Sequence, residues 1–219
     1  EALGLWPALA GRAQAIAEIK ISDGRPGEGA APWFLHFDHD EIDEGPMGHM
    51  IEDRYLRVAL IEAMAAAPLI EHRAGATVTG QRVEGGGVSV ALDGGEELRG
   101  ILLVGCDGRE SQTAARAGIG RTGWPYRQTS LVCAVAHEHP HGGVAHQFFM
   151  PAGPLAILPL PGNRVSIVWT ETTERAAAIG ALDAEGYLAE LRPRFGDFLG
   201  RGARLAEHER ERRRHGERP

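Results

Sequence analysis

Thirty glycines and thirteen prolines cut this chain of 219 residues into short pieces, and that punctuation constrains its fold more than any other feature. Each proline removes a backbone donor and each glycine weakens a helix or strand interior. Only Asp53 to Ala67 keeps a helical period for long: Leu56, Leu60, Ile61 and Met64 recur at helical spacing, and Pro68 stops the run. Elsewhere the pieces read as strands. Ala13–Ile21 alternates up to a turn at Ser22-Asp23-Gly24, and Pro32–Phe37 is short and aromatic. Ala76–Glu84, Gly87–Leu92 and Glu96–Arg99, divided by glycine turns, predict an antiparallel meander. Ile101–Val104 is a continuous apolar run, the pattern of a strand buried on both faces, and a helix is expected at Ser111–Ala117. Strands return at Ser130–His137, Val144–Met150, Leu155–Leu160 and Arg164–Thr170, followed by helices at Thr173–Gly180 and Asp183–Arg192.

Hydrophobic residues make up 43% and charged residues 24%, a balance that excludes wholesale disorder. No stretch reaches the roughly 18 uninterrupted apolar residues of a spanning helix. Glu1–Trp6 has neither a basic stretch nor an initiator Met, so no signal peptide is expected. Cys106 and Cys133 are too few for a disulfide framework or a cysteine-based zinc site, and a reducing cytoplasm is expected. The net charge of −7 is uneven: residues 201–219 carry +3 and the first 200 carry −10. An acidic body argues against nucleic acid as a partner. Glu207–Pro219 lacks apolar periodicity and reads as a frayed, solvated end.

The most informative local feature is the apolar run that ends at Gly105-Cys106-Asp107-Gly108 and leads into a helix. In α/β folds ligands sit beyond the carboxyl ends of strands, where glycine lets backbone approach them and an acid can accept from ribose hydroxyls. The other reading of the same residues is a turn in which Asp107 and Ser111 cap the helix. His137, His139 and His141 alternate, but Pro140 and Gly142-Gly143 make that stretch a hairpin loop rather than a metal site; no metal is expected. There is no Gly-x-Ser-x-Gly elbow, no phosphate-binding P-loop and no Gly-x-Gly-x-x-Gly turn after a strand.

Three blocks resemble the class A flavoprotein monooxygenases. Gly105-Cys106-Asp107-Gly108-Arg109-Glu110-Ser111, with Arg116 beyond, is similar to that family's Asp-Gly motif. Asp53, Leu56 and Leu60 match the spacing of its flavin-contacting helix, with Asp53 where an amide or arginine is usual. Gln147-Phe148-Phe149-Met150-Pro151-Ala152-Gly153-Pro154-Leu155-Ala156-Ile157-Leu158-Pro159-Leu160, followed by Val168-Trp169-Thr170, resembles the ubiquinone-biosynthesis hydroxylases, the polyprenyl-methoxyphenol hydroxylase branch. The likeness runs over about residues 12–198. The family's Gly-x-Gly-x-x-Gly unit and its late Gly-Asp motif are not found in this sequence, so an internal fragment is expected, with the Arg-rich tail matching nothing in the family.

The resemblance implies a mixed α/β fold: a partial Rossmann-like FAD-binding layer plus an antiparallel substrate-domain sheet. It assigns 1–50 and 125–198 to substrate-domain strands and helices, 51–124 to the FAD-domain remnant, and 199–219 to a disordered tail. It implies FAD as cofactor and NAD(P)H as co-substrate, with a flavin hydroperoxide passing oxygen to an electron-rich phenol. Asp53, Arg57, Asp107 and Gly108 become cofactor-binding candidates; the carboxylate of Asp53 would weaken binding unless Arg54 or Arg57 neutralises it. His36, Phe148 and Pro159 become substrate-binding candidates; no catalytic residue is assigned. The implied partners are a polyprenyl phenol and molecular oxygen, with peripheral contact at the inner membrane surface or with a ubiquinone-biosynthesis complex. A truncated, non-catalytic product and a hydroxylase of small soluble phenols are the alternatives.

Overall fold

The computed structural model describes residues 3–196, Gly200 and Arg204–Leu205. By contact the chain divides into two units, Met64–Trp124 and the remainder on either side of it. In chain order the elements begin with helix α1 (Trp6–Leu9), strands β1 (Gln14–Ile16), β2 (Glu18–Arg25), β3 (Gly29–Asp38) and β4 (Gly48–Met50), and helix α2 (Asp53–Ala66). Then come β5 (Val78–Glu84), β6 (Gly87–Leu92), β7 (Glu97–Gly100) and α3 (Gln112–Arg116). The chain continues through β8 (Gln128–Ala136), β9 (Val144–Met150), β10 (Gly153–Leu160), β11 (Arg164–Thr172), α4 (Thr173–Gly180), α5 (Ala184–Phe195) and β12 (Arg204–Leu205).

The larger unit is built on a seven-stranded sheet in the order β12-β8-β11-β10-β9-β2-β3. Its neighbours are antiparallel except β2 and β9, which run parallel. β1 and β4 form a separate antiparallel pair. Paired residues share a face of the sheet. Phe34, Ser22, Phe148, Leu155, Trp169 and Leu131 therefore form one row, and Leu35, Ile21, Gln147, Ala156, Val168 and Val132 form the next row on the opposite face. The first face is the packed one. Val135, Leu155, Ile157, Val165 and Ile167 are fully buried there in one cluster with Tyr187, Leu191 and Phe195 of α5. Asp183 starts α5 by accepting the Gly186 N–H at 2.8 Å, satisfying one of the helix's orphan donors.

Five expectations change at this level. Ala13–Ile21 is two strands rather than one, β1 in the small pair and β2 in the large sheet. β2 does not stop at Ser22-Asp23-Gly24; it runs on to Arg25 through a register shift between Ser22 and Gly24, because β3 keeps pairing with it. α5 passes Pro193, since the burial of Phe195 holds its last turn and Gly196 ends it. Leu205 is buried and pairs with Val135, so the Arg-rich end holds a short strand on the sheet edge; Glu207–Pro219 lies outside the described residues. Ile101–Val104 is not a buried strand. No strand among the described residues pairs with it, and Ile101 is left 94% exposed.

The smaller unit is the expected meander β5-β6-β7 with α3 against it. Gln81 of β5 donates to the Thr113 carbonyl at 3.0 Å, and Arg116 of α3 donates to the Val78 carbonyl at 2.7 Å.

Candidate functional site

The four residues expected to contact a cofactor fall two in each unit. In the smaller unit the loop before α3 is organised around Asp107. One carboxylate oxygen accepts the Ser111 hydroxyl at 2.5 Å; the other accepts the Thr113 N–H at 2.9 Å and the Thr113 hydroxyl at 3.0 Å. The hydrogen bond from Ser111, then that from the Thr113 amide, hold its carboxyl far below the usual carboxylate range. Ser111 in turn accepts the Ala114 N–H at 3.0 Å. The capping reading of this turn is therefore realised. It does not exclude the ligand-facing one: an ionised carboxylate offers about four acceptor positions, of which three are used.

Gly108 has φ +78° and no atom within 4 Å of where a Cβ would stand, so the backbone here is open as well as left-handed. Gly105 is closed in, since a Cβ would come within 2.9 Å of Thr113. A cavity of about 600 Å³ adjoins the loop, lined among others by Val88, Leu102, Gly105, Ser111 and Ala117.

In the larger unit Asp53 and Arg57 both lie exposed on the first turn of α2, paired to one another at 3.4 Å. Arg57 thus offsets the carboxylate. Arg54 does not; it donates to Glu52 instead.

The substrate candidates stand on the packed side of the sheet. Phe148 is 7% exposed within the core and Pro159 is fully buried, so both side chains belong to the packed core. His36 also projects on that side, 2.7 Å from Glu18, whose carboxylate binds the Lys20 ammonium at 2.8 Å. In the same row His146 is held down to about 4, first by burial and then by Lys20, with Glu18 opposing, so it is neutral near pH 7. The opposite face holds Phe37 and Phe149, which lie on strands that the resemblance assigns to the substrate layer. It presents Trp33, Leu35, Phe37 and Phe149, all exposed, beside Ile21, Ala156 and Val168. Phe149 is 54% exposed where its neighbour Phe148 is buried. At one end of this face Phe149, Met150 and Pro151 join Asp23, Arg25 and Glu28 around a cavity of about 500 Å³.

The histidine loop is a staple. His141 donates from Nε2 toward the Leu160 and Gly162 carbonyls at 2.9 Å and accepts the Gly143 N–H at Nδ1. Two groups of potential metal ligands occur elsewhere among the described residues, Glu18/His36/Asp38 and Asp38/His39/Asp40; in the first, Lys20 already sits on the glutamate.

This fold is the one seen in flavin-dependent oxygenases. PqsL of Pseudomonas aeruginosa, solved as a probable FAD-dependent monooxygenase, superposes with a TM-score of 0.73 at 21% identity, over 94% of this chain and 58% of that one. No protein-family model matches. Among curated proteins, the ubiquinone hydroxylase UbiL of Rhodospirillum rubrum is 44% identical over 200 residues, 91% of this chain and 45% of UbiL. The 3-demethoxyubiquinol 3-hydroxylase of Escherichia coli is 32% identical over 164 residues, 75% of this chain and 42% of that enzyme. The chain is thus similar to ubiquinone hydroxylases, as its motifs implied, and spans under half the length of these relatives.

Proposed function

We propose that this chain supplies the substrate sheet and part of the flavin-holding layer of an FAD-dependent hydroxylase, which inserts one oxygen atom of O₂ into a polyprenylated phenol during ubiquinone biosynthesis, with NAD(P)H as reductant. The observation that carries the proposal is the 44% identity to a ubiquinone hydroxylase across 91% of the chain. Two features of the geometry support it. The residues of the Asp107 loop fit a polyhydroxy chain: one acceptor position remains on a carboxylate held ionised, and Gly108 leaves the backbone open. Asp107 and Gly108 would hold FAD there; Asp53 and Arg57 of α2 are the second pair of cofactor candidates, in the larger unit. Bound FAD supplies the oxygen activation.

The sheet's open face supplies the rest. Trp33, Leu35, Phe37 and Phe149 form a wall that can orient an aromatic ring, cover an isoprenoid tail and keep water out. In this reading substrate meets Phe149 and Leu158 rather than Phe148 and Pro159. No helix among the described residues is long and apolar enough to cross a membrane; an isoprenoid substrate would bring the protein to the inner membrane surface as a peripheral enzyme.

The test is an FAD titration followed by flavin fluorescence, then binding of polyprenyl and unprenylated phenols. Saturable FAD uptake and preference for the prenylated ring are expected. A chain that takes up no FAD overturns the cofactor assignment, and equal binding of both phenols overturns the substrate class.

A further inference from the structure

The start of α2 is held by charge rather than by packing. Among its residues only Ala59 is buried, and Val58 and Ile61 are exposed, so apolar contact does little to fix where the helix points. One residue earlier, Glu52 caps the helix with its carbonyl, which accepts the Tyr55 N–H at 3.0 Å. Its side chain reaches across 112 residues of sequence to Arg164, the first residue of β11: Nη1 and Nη2 donate to its two oxygens at 3.4 and 3.3 Å. Arg54 donates to the same two oxygens at 3.1 and 3.0 Å. The pair is partly withdrawn from water, Glu52 being 18% and Arg164 28% exposed, unlike the Asp53–Arg57 pair one turn along.

Arg164 is itself held. Its Nε donates to the Pro161 carbonyl at 3.2 Å, which fixes the plane of the guanidinium and leaves its forked end for Glu52. On the helix side Arg54 and Arg12 both stand over the Tyr55 ring, 4.7 and 4.9 Å from its centre. Burial pushes the Glu52 carboxyl up, but the hydrogen bonds from Arg164 and Arg54 outweigh it and leave the group below its ordinary value, so it is charged at neutral pH.

We infer that Glu52 is a positioning residue: with Arg164 it clamps the first turn of α2 to the start of β11 and so sets where Asp53 and Arg57 meet the cofactor. The clamp is read from geometry alone; its consequence for FAD rests on the function proposed above. A fork of two parallel hydrogen bonds resists rotation in a way a single contact does not. The other hold on this turn is the half-buried Tyr55 under Arg12, a contact with no such directional fork.

The experiment measures amide hydrogen exchange and FAD affinity on the full chain carrying Glu52→Gln, Arg164→Gln and both together. Exchange over residues 53–57 should rise about tenfold in either single variant, and no further in the double, as for groups acting as a unit. Amides of β8, β10 and β11 should not change. FAD affinity should fall about tenfold in step with the exchange. Arg164→Lys keeps the charge without the fork and should fall between, which guards against a variant that simply fails to fold. Unchanged exchange at 53–57, or a rise spread evenly over the chain, overturns the clamp. Faster exchange with unaltered FAD affinity overturns its role toward the cofactor. A wild-type chain that takes up no FAD overturns that role too, while the exchange data still decide the clamp.

Discussion

Phe148 and Phe149 are adjacent, chemically identical and on opposite faces of β9, so truncating each in turn reads the register directly. Phe148 lies in the core row between Ser22 and Leu155, 7% exposed, with its ring 6.0 Å from that of His146. Phe148→Ala removes that packing and leaves a cavity; Phe→Ala in cores costs about 3–5 kcal/mol. This position lies toward the β2–β3 side of the sheet, away from the centre of the α5 contact, so the low end, about 3 kcal/mol, is the expectation. At about 2–4 °C per kcal/mol for a chain of this size, the melting temperature should drop by roughly 6–12 °C. Phe149 is 54% exposed, and Phe149→Ala should shift stability by no more than about 0.5 kcal/mol, as exposed positions do. Its effect should appear in binding. Covering the exposed half of a phenylalanine is worth about 1 kcal/mol, so affinity for a polyprenyl phenol should weaken about fivefold. Thermal melts and ligand titrations on the two variants suffice. Equal losses of stability, or a Phe148 variant that melts normally and binds poorly, would show that the face assignment is inverted.

Three further outcomes are expected. His146 titrates at about 4 when folded against 6.5 for an ordinary histidine. The unfolded chain therefore binds the extra proton between these values, and stability rises with pH through that window and is lost as pH falls from 6.5 toward 4. The loss is about 2–3 kcal/mol, and urea midpoints at pH 7.5 and pH 4.5 should converge in His146→Gln, with a residual slope from His137, which burial also pushes down. Arg194 is 9% exposed and pairs at 3.2 Å with Glu171, 5% exposed, while its guanidinium stacks 4.7 Å from the centre of Trp169. Arg194→Met should cost about 1–3 kcal/mol by taking one cation from the buried carboxylate, which keeps the Trp169 Nε1–H at 3.1 Å and Arg175 at 3.7 Å, and chemical denaturation measures the loss. Gly108→Ala forces a Cβ onto φ +78° at about 1–2 kcal/mol and should weaken FAD binding in fluorescence titrations while the seven-stranded sheet keeps its exchange protection.

The elements were legible where one physical signal dominated. α2 was visible because Leu56, Leu60 and Met64 keep helical spacing up to Pro68, and the meander because paired glycines mark both of its turns. The Asp107 turn was legible down to its capping serine, since Asp, Gly and Ser at that spacing have few other uses. Ile101–Val104 shows the limit. A continuous apolar run states that a segment is built for burial between neighbours; it does not supply them. None of the described strands pairs with it, so the same residues stand exposed.

Which face of the sheet is the packed one was illegible for a more specific reason. Alternation tells inside from outside only when one of the two sets of residues is polar. Along β9 and β10 both sets are apolar: Phe148 against Phe149, Ile157 against Leu158. Nothing local says which of each pair meets helix α5, and a slip of one residue exchanges every assignment. What decides the question is distant in sequence, the apolar stripe of Tyr187, Leu191 and Phe195 settling on Ile157 and Ile167. A sheet with two apolar faces, α4 and α5 packing on one, needs something else for the other. Leu35, Phe37 and Phe149 stand in three rows of that other face, and on the function proposed above a substrate would take there the place that α5 takes on the opposite side.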